Sequence, residues 1–449
     1  MARTPSRGFM STGQQRIAEL AEQSPTMAFT NLAHHMTVGW LLHAYHATRQ
    51  DGAPGVDGQT GADYGKGLLA NLQDLLDRAK SGRYRAPPVR RVHIPKGTGR
   101  DTRPIGVPTF EDKVLQRAVL MLLEPLYEQD FFDCSYGFRP DRSAHQALET
   151  LWRRTMGMGG CWLLEVDIQS FFDTLDRKHL RDFLQRRVRD GVVLRLIGKW
   201  LNAGVQEEGS VTTTESGTAQ GGVISPLLAN VYLHYVLDEW FGQQVKPRLR
   251  GQAFLVRYAD DVVVGFEHES DALRVQEVLG QRFARYGLAL HPEKTRLVRF
   301  VPPAGPTKDK NQQEGTQPGT FDLLGFTHYW GKSWRGQWVV KRKTSASRLR
   351  RAIGKIGQWC RQNRHRPIGE QHQTLTEKLC GHYAYYGITG NARGLRRFLL
   401  QVRRLWRKWL GRRKRDGTFC WPKYLALLKR FPLPPARVVH SVYRTAANR

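Results

Sequence analysis

The sharpest chemistry in this chain sits in four residues, Tyr258-Ala259-Asp260-Asp261. Phe254-Leu-Val-Arg precedes them and Val262-Val-Val-Gly-Phe266 follows, so the string reads as strand, tight turn, strand. Two adjacent carboxylates at a hairpin tip repel each other, and a cation between them removes that cost. A polar Asp-rich turn is the plainer role for the same residues, and a metal site needs a third ligand. Asp167 qualifies, because it ends the apolar strand Cys161-Trp-Leu-Leu-Glu-Val166, where a bare carboxylate is otherwise costly. Capping the helix that follows is its competing role. The three carboxylates Asp167, Asp260 and Asp261 could hold two Mg²⁺ ions about 3.5–4 Å apart, a pairing suited to phosphoryl transfer. Hard oxygen donors suit Mg²⁺ or Mn²⁺ and not zinc.

The rest of the sequence must position and serve these acids. Val89–Ile94 and Ile105–Val107 read as two strands around a Gly-rich tip, with Lys96, Arg100 and Arg103 on or beside the turn. Helical spacing predicts helices over about 65–80, 110–126, 176–203, 222–241 and 270–286, and a strand over 295–301. Residues 1–50 read as helical and solvent-facing, with Ile17, Leu20 and Ala21 at helical spacing. Gly52–Gly58 is a turn cluster. Pro302–Thr320 is a polar insertion or linker, followed by a short hairpin at 321–342 and helices near 345–364, 370–386 and 393–412.

Charge is divided unevenly along the 449 residues. The formal net charge is +30, and residues 321–449 hold 30 Lys and Arg against four acids, a local net of +26. Self-repulsion on that scale favours a polyanionic partner, nucleic acid before an anionic membrane. Between Arg393 and Arg415 there are eleven basic residues and no acid, with Leu395, Leu399, Val402, Leu405, Trp406 and Trp409 at helical spacing. A solvated helix face with an apolar stripe against the domain is the plainer reading. The functional one adds that Arg396, Arg397, Arg403, Arg404, Arg407 and Lys408 track a phosphate backbone. With 40% hydrophobic residues, real cores are available and disorder is excluded as the main state. No apolar run is long enough to span a membrane. Five scattered cysteines support neither a disulfide framework nor a zinc ribbon, which fits a reducing, cytoplasmic setting.

Seven strings in order now carry a resemblance. They are Lys96 with Arg103-Pro-Ile-Gly-Val-Pro108; Tyr136-Gly-Phe-Arg-Pro140; Asp167-Ile-Gln-Ser-Phe-Phe172-Asp; Gln220-Gly-Gly-Val-Ile-Ser-Pro-Leu-Leu-Ala-Asn230; Tyr258-Ala-Asp-Asp261; His291-Pro-Glu-Lys-Thr295; and Leu324-Gly-Phe326. Together they resemble the reverse transcriptases encoded by bacterial group II introns, motif by motif over about 50–330 and more loosely to about 440. The resemblance implies an α+β right-hand polymerase. Its parts would be an N-terminal helical extension (1–49), fingers and palm (50–330), a helical thumb or maturase domain (331–415) and a short tail (416–449).

It further implies RNA-directed DNA synthesis by two-metal phosphoryl transfer, with an RNA template, a DNA primer and dNTPs. Asp167, Asp260 and Asp261 match the catalytic carboxylates, and the backbone carbonyl of Ile168 joins them at the metal. Phe172 matches the ring that excludes a 2′-hydroxyl; core packing is its alternative, and Phe171 is the rival ring. Lys96 and Arg103 match the grip on the triphosphate, with a solvated hairpin tip as the alternative. Gln220 and Gly221 match a loop at the nucleotide and template, with Ala219 where the family usually has Pro. Lys294 matches a basic group near the pyrophosphate. Arg139 matches a family position that an ion pair would equally explain. The basic helix would grip template–primer and, in intron-encoded members, intron RNA. An HNH endonuclease is not expected here, so priming would need a nascent strand or another nick. Two rivals remain: a domesticated enzyme without an intron, and a maturase that only folds RNA.

Overall fold

The computed structural model describes residues 11–95, 102–207, 210–212, 221–303, 319–413 and 419–441. Its fold is mixed α and β, in two compact units: Met1–Ala147 with Leu163–Leu297, and Leu148–Trp162 with Val298–Arg449.

The first unit begins with helices α1 (Thr12–Gln23), α2 (Val38–Ala47), α3 (Gly61–Tyr64) and α4 (Leu68–Ser81). Ser11 opens α1 with a reciprocal capping box to Gln14. The N-terminal segment is not solvent-facing as its composition suggested. Ile17, Ala21, Met36, Trp40 and Leu41 are buried, and the Trp40 indole N–H donates to the Ala118 carbonyl (2.9 Å). Apolar burial against the long helix that follows overrides the polar look of the segment. Strands β1 (Val89–Pro95) and β2 (Thr102–Val107) form the expected antiparallel hairpin, with Ile94 opposite Arg103. Helix α5 (Phe110–Asp130) is capped by Thr109 and runs to Asp130, past Pro125.

Helix α6 (Ala144–Gly157) leads to β3 (Cys161–Val166), the one-turn α7 (Phe171–Thr174), α8 (Arg177–Arg187), α9 (Gly191–Leu201), β4 (Val205–Glu207) and β5 (Ser210–Thr212). The helical pattern over 176–203 is thus two helices, because Asp190 leaves the helix to cap α9 and also accepts from the amides of Leu32 and Ala33. Helix α10 (Ser225–Leu233) continues through two π-helical turns, His234–Asp238 and Phe241–Val245. Then come β6 (Ala253–Tyr258), β7 (Asp261–Phe266), α11 (Glu269–Arg285) and β8 (Arg296–Phe300). Two four-stranded sheets result, in the orders β2-β1-β4-β5 and β6-β7-β3-β8.

The second unit holds a three-stranded sheet of β9 (Phe321–Leu323), β10 (Phe326–Lys332) and β11 (Trp338–Thr344), in the order β11-β10-β9. Helices α12 (Ala346–Gln362), α13 (Ile368–Tyr386), α14 (Ala392–Gly411) and α15 (Trp421–Arg430) follow. The segment expected as a bare tail carries α15, whose Tyr424 is fully buried in one core with Trp406, Val402, Leu379 and Leu395. All five cysteines are free. Among the described residues no helix is long and apolar enough to cross a membrane.

Candidate active site

The hairpin joining β6 to β7 has a two-residue turn, Ala259-Asp260, with Tyr258 paired to Asp261. Ala259 has φ +57° at the first central position, where glycine is the usual choice. Its surroundings hold it there. Gly137 packs so closely that an added Cβ would collide with the Ala259 nitrogen. Arg257, fully buried, donates from Nη1 to the Ala259 carbonyl (3.2 Å) and to Asn230 Oδ1 (2.8 Å). Asn230 Nδ2 in turn donates to the Gly137 carbonyl (2.8 Å).

The guanidinium charge is met by Asp238, which is equally buried: Nε to Oδ1 at 2.8 Å and Nη2 to Oδ2 at 2.6 Å. A paired, hydrogen-bonded charge is the form in which an ion survives burial. Sequence reading passed over Arg257, Asp238 and Asn230. The available signal was a lone arginine inside the apolar strand Phe254–Tyr258, which demands a buried anion.

Asp167 follows β3, the strand next to β7 in the sheet. The His291–Thr295 motif is laced to it. The His291 amide donates to the Asp167 carbonyl (2.8 Å), and the Gln169 amide donates to Ala289 (2.9 Å). Lys294 Nζ lies 3.5 Å from Asp167 Oδ1, both side chains being substantially exposed. Lys294 thus stands at the carboxylate end of the site. Asp167 and Asp260 are half-buried and Asp261 is exposed. Their hard oxygen donors fit Mg²⁺ or Mn²⁺. The arrangement is open, however. Among the described residues no group of three or more His, Cys, Asp or Glu side chains is set to enclose an ion, and Lys294 supplies the countercharge at Asp167.

The two phenylalanines after Asp167 separate cleanly. Phe171 is buried beside Tyr232 (ring centroids 6.4 Å), whereas Phe172 is only partly covered. Ile168 is buried and bridges to Leu290. Arg103 lies exposed near the end of the β1–β2 hairpin; Lys96 and Gln220 fall outside the described residues.

Gly221 has φ +126° and lies against β2 so tightly that a Cβ would collide with the Gly106 carbonyl. The loop after it is tied down by Gln116 of α5, whose Oε1 accepts from the Val223 amide (2.7 Å). Gln116 was also missed. It is 3% exposed and donates to Asp112 (3.1 Å), which accepts from the Tyr84 hydroxyl (2.6 Å). Burial pushes the Asp112 carboxyl up to about 6. Arg139 proves to be the structural ion pair: it is 3% exposed, bound to Glu128 (Nη2–Oε2 3.0 Å) and to the carbonyls of Phe132 and Ser135.

The basic helix α14 sorts its cations. Arg393, Arg396, Arg397, Arg404 and Lys408 are exposed. Arg403 and Arg407 are half-buried instead, and Arg407 sits 4.2 Å over the Trp421 ring of α15 while donating to the Phe419 carbonyl (3.1 Å). Packing of α15 against α14 claims Arg407.

The structure thus brings together a hairpin bearing paired aspartates, an acid that follows the adjacent strand, and glycine-packed loops around them. The family described as reverse transcriptase (RNA-dependent DNA polymerase) matches residues 94–328. The chain belongs to the reverse transcriptase family, and by class it is an RNA-directed DNA polymerase.

Among known proteins it is 35% identical over 323 residues to Protein YkfC of Escherichia coli K12, covering 64% of this chain and 84% of that one. It is 44% identical over 163 residues to the group II intron-encoded protein LtrA of Lactococcus lactis subsp. cremoris, covering 36% of this chain and 27% of LtrA. It is 37% identical over 90 residues to nuclear intron maturase 1, mitochondrial, of Arabidopsis thaliana, covering 20% and 12%. The alignment therefore reaches only about a quarter of LtrA's length.

Proposed function

We propose that this chain extends a DNA primer on an RNA template at a site formed by Asp167, Asp260 and Asp261, and that it also binds group II intron RNA. The observation that carries the reading is the sheet β6-β7-β3-β8: the Asp260-Asp261 hairpin tip and the strand leading into Asp167 are neighbours in it. In this reading β1–β2 and the surrounding helices serve as fingers, the β6-β7-β3-β8 sheet as palm, and the basic helices after residue 330 as thumb.

Mg²⁺ held by the three carboxylates and the Ile168 carbonyl would supply Lewis-acid activation of the primer 3′-hydroxyl and neutralise charge on the leaving pyrophosphate. The chain's own residues do the rest. Arg103, with Lys96, binds the triphosphate. Lys294 stands where a cation can meet phosphate charge and return a proton to the leaving group. The exposed part of Phe172 crowds the sugar's 2′ position and excludes a ribonucleotide. Gly221, stripped of a side chain, lets backbone approach the nucleotide and template, and Gln220 contacts them beside it.

The names of LtrA and the plant maturase support intron RNA as a partner, as does the exposed basic face of α14. A-form RNA is held chiefly through phosphate and 2′-hydroxyl contacts, which such a face provides without base readout. The test is primer extension on an RNA template. Asp260→Asn should abolish extension while leaving RNA binding intact. Extension at the wild-type rate would remove the site assignment. Splicing of an intron RNA with and without the protein tests the second half.

A further inference from the structure

The catalytic-turn frame leaves one residue conspicuously outside it. In the loop Tyr136-Gly-Phe-Arg-Pro140, every neighbour of Phe138 is tied down. The Tyr136 amide donates to the Arg257 carbonyl (2.9 Å), and Tyr136 is buried. Gly137 abuts Ala259 and accepts from Asn230. Arg139 is buried in its ion pair with Glu128.

Phe138 alone is 55% exposed, with φ +58°, a conformation a bulky side chain rarely takes. Its ring lies 6.4 Å from that of Tyr258, the residue that starts the Asp260-Asp261 turn. Strain of this kind persists only where surrounding structure enforces it, and an exposed ring adds little to a core in return. Two aromatic rings side by side at a carboxylate-bearing turn, on a chain of net charge +30, suit a nucleic-acid strand ending there.

We propose that Phe138 is a substrate-binding residue: its ring, beside Tyr258, packs on the sugar and base of the primer's 3′-terminal nucleotide. The proposal rests on the reading that Asp260 and Asp261 act at the primer end. Strain and exposure then have one cause. The loop is pinned on both sides so that the ring is offered to the primer and withheld from the core. The primer strand is favoured over the template because the ring adjoins the turn that carries the reacting carboxylates.

The experiment is a fluorescence-anisotropy titration of a labelled DNA primer annealed to RNA, without dNTP, using the full-length chain. Phe138→Ala should raise the Kd for template–primer about tenfold, while Phe138→Tyr stays within about twofold of wild type. In steady-state extension the KM for template–primer should rise as well. Thermal unfolding separates contact from packing. Phe138→Ala should melt with the wild type, and Phe138→Gly should melt higher, since glycine accepts φ +58° without strain. An unchanged Kd for Phe138→Ala overturns the proposal. So does a fall of several degrees in its melting temperature, which would make the ring structural. An equal loss of affinity for the bare RNA strand would overturn the assignment to the primer. None of these binding readouts depends on chemistry, so an active Asp260→Asn would refute the catalytic reading separately.

Discussion

The fully buried pair Arg257–Asp238 offers the most exacting test of how the turn is held. Replacing Asp238 with Asn removes the charge partner but keeps the shape. The guanidinium is then left at zero exposure with only neutral acceptors, the Asn230 side chain at 2.8 Å and the Ala259 carbonyl at 3.2 Å. Breaking a buried pair from one side costs about 3–5 kcal/mol, because the remaining ion keeps its desolvation penalty. Against the roughly 5–15 kcal/mol that typically stabilises a domain, that is a large fraction. At about 2–4 °C per kcal/mol for a unit of this size, the melting temperature should drop by roughly 6–20 °C.

The double variant Asp238→Leu with Arg257→Met removes both charges and should recover much of the loss, since an apolar pair of similar volume often breaks even. Primer extension by the double variant should stay impaired, because a thioether in place of the guanidinium cannot tether Asn230 and the Ala259 carbonyl. Urea or thermal unfolding followed by circular dichroism, with extension assayed well below the transition, reads both effects. A loss under about 1 kcal/mol for Asp238→Asn would refute the argument, since it falls short of the cost of a stranded buried ion. A double variant that is stable and fully active would refute it as well.

Three further outcomes are expected. Phe172→Ala should raise rNTP incorporation relative to dNTP in competitive extension, whereas Phe171→Ala should chiefly lower the melting temperature, as its ring is buried. Neutralising Arg404 and Lys408 should flatten the slope of log K against log salt for RNA by about 0.7–0.9 per lost phosphate contact, measured by filter binding; Arg407→Ala should instead loosen α15 and register in the melting curve. His328 is fully buried, stacks on Phe321 (4.6 Å) and finds no partner for either ring nitrogen, and burial beside Arg342 holds its imidazole down near 3. Its folded pKa lies below the ordinary 6.5, so its stability contribution is complete above pH 6.5 and is lost as pH falls towards 3. Its share of the decline should be about 1 kcal/mol between pH 6.5 and 5.5, and His328→Phe should shrink the measured fall by that amount in denaturant titrations at both pH values, the remainder belonging to other buried histidines such as His234 and His382.

Local pattern carried the reading of the elements nearest the chemistry. Continuous apolar runs around Asp260-Asp261 and short apolar stretches around the Gly-rich tip gave both hairpins, since strand and turn signals act within a few residues. The acids themselves stood out because a carboxylate in an apolar run needs a reason. What local pattern missed is tertiary. Asp238 lies 19 residues from Arg257, and Gln116 lies 107 residues from the amide it holds. No spacing rule links such pairs. The burial of α1 was hidden because only Ile17 and Ala21 face the core along a mostly polar helix, whereas the apolar run Val38–Ala47 of α2 did signal burial and was passed over. Helix α15 was missed for a different reason. Its signals were present, with Pro422 in the first turn, the helix formers Leu425-Ala-Leu-Leu-Lys429 and Pro432 past its end, but so short a helix is marginal alone and Tyr424 is held through the core it enters.

The π-helical turn His234–Asp238 has a consequence beyond its own hydrogen bonds. A π turn is an α-helix with one residue too many, and each α-helical residue advances the face of the helix by about 100°. Asp238 closes that turn, and its carboxylate meets Arg257 from there. The wide turn absorbs the surplus residue, so the helix before and after it keeps nearly the phase it would have without one. Deleting one residue between 234 and 237 should therefore return the turn to α geometry with Asp238 still facing Arg257. The frame beneath the two aspartates tolerates a change of count on this helix better than a change of charge at its end.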